Sequence, residues 1–479
     1  MLKNKLKSKT EKALKWNTGY TLIENVISLG VGIILARLLD PNQFGILAVV
    51  LALSSFVNSF VDGGFGSAIV QSKQLKESDL STIYTLNLIV AIFFSITLFS
   101  LSGLIGDFFQ NKNIGEVSKA ITLIFLFQAF IVVPKNFLVR NVDFKSIAII
   151  ELTAIFISGV SSVMLAVYGF EYWALALRII IRFLIAAILY NLTSNLKLKL
   201  ELKITIIKKY WNYSISVLST SIFVNIKTKL DVFIVGKLLS AENLGLYSRG
   251  KQYATLPQTF LYMVFNKPLF STFSKIDEVN FLEHYNKWYR ILSFVTLFTF
   301  FSVFLVSDEF IYLLLGEKWK GSIIFLKIFS FWGIFKALIL FNFDIFNTKG
   351  KPRFNLINSL FEFFIFIVIV VVFYVAADAT NLGIYVSLSA VLSTLCAFIF
   401  QNYQLTKVLK ENFVKNITKN IKDVLITSFS FITVLTLSRF FIIDSQLIVI
   451  TVKFSLFTTI CLLLAFLLKT ELFQLIFKK

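Results

Sequence analysis

Fourteen apolar runs of spanning length leave this chain few ways to fold. They lie near residues 17–37, 43–67, 80–104, 116–138, 147–168, 172–191, 212–236, 243–266, 288–308, 321–344, 354–376, 381–403, 421–441 and 445–468. A run of about 20 apolar residues matches the hydrocarbon thickness of a bilayer. Within lipid every backbone N–H and C=O must be bonded inside the protein, so only helices and closed barrels span it. Long runs without alternating polarity are helices. The chain therefore reads as an all-α integral membrane protein with about 14 transmembrane helices. Its 57% hydrophobic residues and mean hydropathy of +0.79 agree, since a soluble domain is nearer roughly 45–50% apolar. The basic N-terminus leads into a run that holds Asn, Glu and Ser and lacks a small-residue cleavage site. It reads as a retained first span, not a signal peptide.

The net charge of +20 at first suggests a nucleic-acid partner. Its distribution points to topology instead, because most Lys and Arg stand between the apolar runs. Alternate loops hold 30 Lys and Arg in one set, from Lys3 through Lys73, Arg140, Lys203, Lys275 and Lys349 to Lys479. The other set holds seven: Arg37, Lys112, Lys119, Lys237, Lys318, Lys320 and Arg439. Basic loops stay cytoplasmic, so both termini are expected there and the number of spans is even. No nucleic acid is implied. Cys396 and Cys461 fall inside apolar runs, which argues against a disulfide framework or a metal site.

A repeat organises the spans. LARLLDPNQFGILAVV (35–50) is answered by VGKLLSAENLGLYSRG (235–250) at a constant offset. Leu38, Leu39 and Gly45 recur as Leu238, Leu239 and Gly245, Arg37 as Lys237, and Asn25 as Asn225. Six crossings separate the first span from the seventh, so the duplicated halves are parallel copies with a cavity expected between them. The expected domains are a six-helix lobe at 1–195, a cytoplasmic amphipathic linker at 196–210, and a second six-helix lobe at 211–405. A basic loop and two extra helices follow at 406–479. Within the linker, LKLKLELKITIIKKY reads either as a helix on anionic headgroups or as a solvated connection.

Charges inside spans are costly and tend to face a protein interior or a wet cavity. The cations are Arg178, Arg182, Lys227, Lys229, Arg249, Lys251, Lys327, Lys336 and Lys453; the acids at similar depth are Glu24, Asp231 and Glu362. Cations dominate, so an anion is the expected ligand. Arg178 and Arg182 are four residues apart on one helix face with no acid in that helix, a pattern suited to a phosphate or diphosphate. Lys229, Arg249 and Lys251 join them as candidate ligands beside the duplicated corner, with Lys227 and Lys336 as further candidates. Lys227 and Asp231, also four apart, read either as an internal ion pair or as part of the site. Glu24 and Asp231 are the candidates for carrying a coupling ion, with Glu24 alternatively the partner of a lobe lysine. Lys453 reads as a snorkelling or packing residue.

Enzyme chemistry finds little support. The single His284 stands in a charged loop, no phosphate-binding Gly loop, paired-His helix or Gly-x-Ser-x-Gly occurs, and the external loops are short. The motifs that remain are LARLLDPNQFG (35–45), DGGFGSAIVQSK (62–73), PKNFLVRNVDFKSIAIIEL (134–152) and YGFEYWALALR (168–178). They continue with DVFIVGKLLSAENLGLYSRGKQYATLP (231–257), NKPLFSTFSKI (266–276), LLGEKW (314–319) and NTKGKP (347–352). Over roughly three quarters of its length the chain thus resembles Wzx-type polysaccharide flippases of the multidrug/oligosaccharidyl-lipid/polysaccharide exporter superfamily. Gly250 departs from that family, which often has Ala there.

The resemblance implies two six-helix lobes that open alternately, two extra C-terminal helices, and a lipid-linked oligosaccharide as cargo. It places the chain in the bacterial cytoplasmic membrane, moving its cargo to the outer leaflet for O-antigen, capsule or exopolysaccharide synthesis. It implies no cofactor beyond a coupling H+ or Na+. Its partners are then membrane lipids, a polysaccharide polymerase and glycosyltransferases. The competing reading is a multidrug or cation exporter of the same fold, which would want a cavity rich in acids.

Overall fold

The computed structural model describes residues 2–376, 381–411, 421–441 and 445–468, and all regular structure among them is helical. Residues 412–420 of the expected basic loop lie outside them, as do Lys469, Lys478 and Lys479. The chain divides into two compact units, Met1–Gly245 and Leu246–Lys479.

The first unit contains α1 (Leu2–Leu38), α2 (Pro41–Asp62), the short α3 (Phe65–Gln71), α4 (Glu77–Phe108), α5 (Lys112–Arg140), α6 (Phe144–Val167), α7 (Glu171–Ser194) and α8 (Ile204–Leu238). The corner between α1 and α2 follows from its sequence. Pro41 opens the helix, where its missing N–H costs nothing, and the Asp40 N–H donates to Gln43 Oε1 at 2.9 Å. α2 ends at Gly63 and Gly64, both at positive φ, which lets the chain turn directly into α3.

The repeat is visible in the backbone. α1 ends at Leu38 and α2 begins at Pro41; α8 ends at Leu238 and α9 (Ala241–Leu261) begins at Ala241. The corners also meet. A Cβ on Gly45 would stand 1.7 Å from the Ala241 carbonyl oxygen, and one on Gly245 would stand 1.8 Å from that of Pro41. Glycine is required at both positions because backbone occupies the space a side chain would need.

Residues 195–203 form no helix. The alternation of Lys and Leu there is that of an extended strap, in which Leu196 and Leu198 pack against a core that includes Leu80, Ile83 and Tyr210. The Lys199 N–H donates to Ser81 Oγ at 3.2 Å and that of Glu201 to Thr85 Oγ1 at 3.0 Å. The helix considered for this stretch begins only at Ile204. Beside it, Tyr210 and Lys209 both donate to Asp79 Oδ2 at 2.9 Å. Hydrogen bonding to Tyr210 and Asp79 holds the Lys209 ammonium above its usual range.

The second unit holds the rest of α9, which runs through a π turn at Tyr262–Asn266 into α10 (Lys267–Phe273). α11 (Glu278–Leu305), α12 (Ser307–Leu314), α13 (Ser322–Thr348), α14 (Arg353–Ala376), α15 (Leu382–Leu409), α16 (Ile421–Leu437) and α17 (Gln446–Leu467) follow. α16 and α17 pack on α11 through phenylalanines: the Phe301 and Phe431 rings stack 4.5 Å apart, and those of Phe298 and Phe457 5.0 Å apart.

Among the described residues twelve helices are long and apolar enough to cross a membrane. The difference from the fourteen expected is α8 and α9. Both runs are helical, but Lys227, Lys229 and Asp231 in one, and Arg249 and Lys251 in the other, make them less apolar.

Candidate functional site

Halfway along α7, Arg182 reaches two carboxylates from neighbouring helices. Its Nη2 donates to Glu24 Oε1 of α1 at 2.5 Å and to Glu151 Oε2 of α6 at 3.3 Å. Glu151 is the hub. Its Oε1 also accepts from Lys135 Nζ of α5 at 2.7 Å and from the buried Tyr190 hydroxyl of α7 at 2.9 Å. Four helices of the first unit therefore converge on one polar node inside an apolar bundle. The Glu151 side chain is 9% exposed, whereas that of Arg182 keeps 32%. Arg182 is neutralised from one side and still open on another. Arg178, one turn away on the same helix, is half-buried.

The first unit carries a second polar feature. α2 carries Ser55, Asn58, Ser59 and Asp62, a stripe at helical spacing within an apolar segment. It faces Thr220, Ser221, Val224 and Asn225 of α8 across a cleft of about 400 Å³. Asn225 Nδ2 donates to Ser59 Oγ at 2.6 Å and to the Ser55 carbonyl at 3.3 Å.

The remaining sequence candidates have separate surroundings. Lys227 and Lys229 are half-buried on α8 and Asp231 is buried there. In the second unit the buried Arg249 donates from Nη1 to Gln252 Oε1 at 2.6 Å, and its guanidinium lies 6.0 Å from the Trp319 ring centre. Lys251 Nζ is 5.8 Å from the Phe329 ring. Gly250 between them packs on α13, since a Cβ there would lie 2.6 Å from Phe325 Cβ. Alanine would not fit that corner as it stands. Lys336 grips both oxygens of the buried Glu362, at 3.0 and 3.1 Å, and Thr394 donates to the same carboxylate at 3.1 Å. Lys327 pairs with Asp308 at 2.6 Å.

The structure thus brings Arg182 and Glu24 together, a pairing that separate inspection of their helices did not reach. Sequence reasoning also passed over Lys135, Tyr190 and the α2 stripe. The stripe had a signal, four polar residues at positions i, i+3, i+4 and i+7 of an apolar run. Tyr190 had none, because a tyrosine in a membrane helix is unremarkable by itself.

The family model described as "Polysaccharide biosynthesis protein" matches residues 34–324, more than half of the chain. The chain belongs to this polysaccharide biosynthesis family. It is 26% identical over 316 residues to the lipopolysaccharide biosynthesis protein WzxC of Escherichia coli (strain K12), an alignment covering 62% of this chain and 60% of that protein. It is 21% identical over 269 residues to the succinoglycan biosynthesis transport protein ExoT of Rhizobium meliloti (strain 1021), covering 55% and 54%. The family member described here thus spans a little over half the length of these relatives.

Among solved structures, the lipid II flippase MurJ in an inward closed conformation superposes with a TM-score of 0.77, covering 95% of this chain and 99% of that one at 12% identity. An inward-facing multidrug resistance MATE family transporter superposes at 0.64, covering 83% and 99%, also at 12% identity. At that identity the likeness is one of fold, and the fold is that of the MurJ and MATE transporters.

Proposed function

We propose that the chain flips a polyprenyl-diphosphate-linked oligosaccharide from the cytoplasmic to the outer leaflet of a bacterial cytoplasmic membrane, by alternating access. The observation that carries this reading is the partly open Arg182, with Arg178 on the same face of α7, in a member of a polysaccharide biosynthesis family. A diphosphate cannot cross hydrocarbon unaided, because stripping water from an ionised group without a partner is prohibitive. Guanidinium groups bind phosphate through paired, charge-assisted hydrogen bonds, and Arg182 retains exposed surface for them. The polyprenyl tail stays in lipid throughout.

The two carboxylates at Arg182 supply a means of coupling. Glu24 competes with an arriving diphosphate for the same guanidinium. A proton or Na+ that neutralises Glu24 releases Arg182 for the cargo, and departure of the cargo restores the pair. Glu151, buried and held by Lys135 and Tyr190, keeps Arg182 in place through both states. Lys227, Lys229, Arg249, Lys251 and Lys336 are the further cations this reading assigns to the anionic cargo, and Asp231 is the second carboxylate it assigns to coupling. The lopsided distribution of Lys and Arg supports both termini in the cytoplasm. Reporter fusions after Lys76 and after Arg353 should then both read cytoplasmic; an external reading at either contradicts the orientation. Glycosyltransferases that build the glycan and a polymerase that receives it are the implied partners.

The direct genetic test is glycan export in a flippase-deficient strain, with membrane levels of each variant measured alongside. Arg182→Ala should abolish export. Arg182→Lys, which keeps the charge and loses the fork, should lower it by about tenfold or more. Glu24→Gln should leave the protein in the membrane and remove the dependence of export on the ion gradient. Normal export by Arg182→Ala at normal abundance would sink this reading.

A further inference from the structure

The α2–α8 cleft differs in chemistry from the arginine node. Its walls are amides and hydroxyls, from Asn58, Ser59, Thr220 and Asn225, with one carboxylate, Asp62, at the end of α2. Among the described residues neither a cation nor an aromatic ring lines it. That excludes it as the diphosphate's seat, which needs positive charge. Asn58 Oδ1 is buried there without a hydrogen-bond partner among the described residues. An acceptor so placed costs stability unless something donates to it. Interhelical bonding alone explains only part of the stripe: Asn225 satisfies Ser59 and the Ser55 carbonyl, and Asn58 gains nothing from them. A space of about 400 Å³ falls within the usual range of small-ligand pockets, roughly 300–1,000 Å³.

We propose that this cleft holds a sugar unit of the cargo and selects a neutral sugar over an acidic one. The inference rests on the flippase reading and adds to it where the glycan is read. A pyranose presents hydroxyls that both donate and accept, which is what side-chain amides and hydroxyls complement. Asn58 Oδ1 accepts a hydrogen bond from one sugar hydroxyl, and Asp62 accepts one from another. The same Asp62 repels the carboxylate of a uronic or sialic acid, so discrimination comes from a repulsive group as much as from the attractive ones.

The test uses the purified full chain in liposomes, with three lipids compared: polyprenyl diphosphate alone, polyprenyl-diphosphate-galactose and polyprenyl-diphosphate-glucuronic acid. Wild type should move the galactosyl lipid faster than the glucuronosyl lipid. Asn58→Leu and Thr220→Val should each slow the galactosyl lipid by about tenfold, the loss expected for a hydrogen bond or two, and leave bare polyprenyl diphosphate unchanged. Asp62→Asn should raise glucuronosyl transport and erase the preference. Equal slowing of all three lipids, or no change in any, overturns the sugar assignment. If wild type moves none of the three, the flippase reading itself falls. The cleft is then judged by saturation-transfer NMR with methyl galactoside: transfer from wild type that Asn58→Leu abolishes supports it, and absence of transfer refutes it.

Discussion

A guanidinium left in mid-bilayer without an anion costs at least a few kcal/mol, and Arg182 has two carboxylates within reach. That cost makes Glu24 and Glu151 structural necessities, and their exposure differs. Glu151 is enclosed and bonded three times over; Glu24 is more open and pairs with Arg182. At the corners the controlling atom is a missing one. Gly45→Ala or Gly245→Ala would drive a methyl group into a backbone carbonyl that has no side chain to move aside. Each should lower the melting temperature of the purified protein by an amount equivalent to about 1–3 kcal/mol or more. Gly19→Ala, with nothing within 4 Å of its new carbon, is the control and should melt no lower than wild type. A Gly245→Ala protein with an unchanged melting temperature would contradict the packing described at the corner.

Helices show where charge is spent on architecture. α17 is an apolar segment with a buried Lys453 in its middle. The ammonium donates to Glu309 Oε1 at 2.7 Å and to the Leu305 carbonyl at 3.0 Å, fixing α17 against α12 and the end of α11. Lys453→Met leaves Glu309 buried without its counterion and should destabilise the second unit by about 3–5 kcal/mol. The double variant Lys453→Met with Glu309→Leu should recover most of that loss, read as thermal melting of both proteins. A single variant as stable as wild type would mean the pair anchors nothing.

Lys453 as a packing residue was legible in the sequence, and so were the corners, because both follow from local pattern and the cost of a lone charge. The partner of Lys453 was not, since Glu309 reads as a residue at the end of a span. Nor was the strap at 195–203. There alternation of Lys and Leu has the period of extended chain, and the hydroxyls of Ser81 and Thr85 accept two of its backbone N–H groups while Leu196 and Leu198 pack on the core. The apolar pattern marks which segments are helices, but α8 and α9 carry so much charge that expecting them to span rests on the repeat more than on apolarity. The arginine node was half legible: both charged ends stood out, and their meeting depends on how α1, α6 and α7 pack.

For the whole molecule, family membership and fold point the same way. A polysaccharide biosynthesis protein with the fold of MurJ and MATE transporters presents a partly exposed Arg182 and a cleft lined by amides and hydroxyls. The central claim is movement of the lipid-linked glycan between leaflets, and one measurement addresses it without cells or partner enzymes. The purified chain is placed in sealed liposomes containing a polyprenyl-diphosphate-linked oligosaccharide, and a glycosidase added outside reports how much glycan is on the outer leaflet over time. The account predicts that the accessible share rises to nearly all of the glycan with wild-type protein, and stays at its starting value with Arg182→Ala or with no protein. A wild-type time course indistinguishable from protein-free liposomes would contradict it.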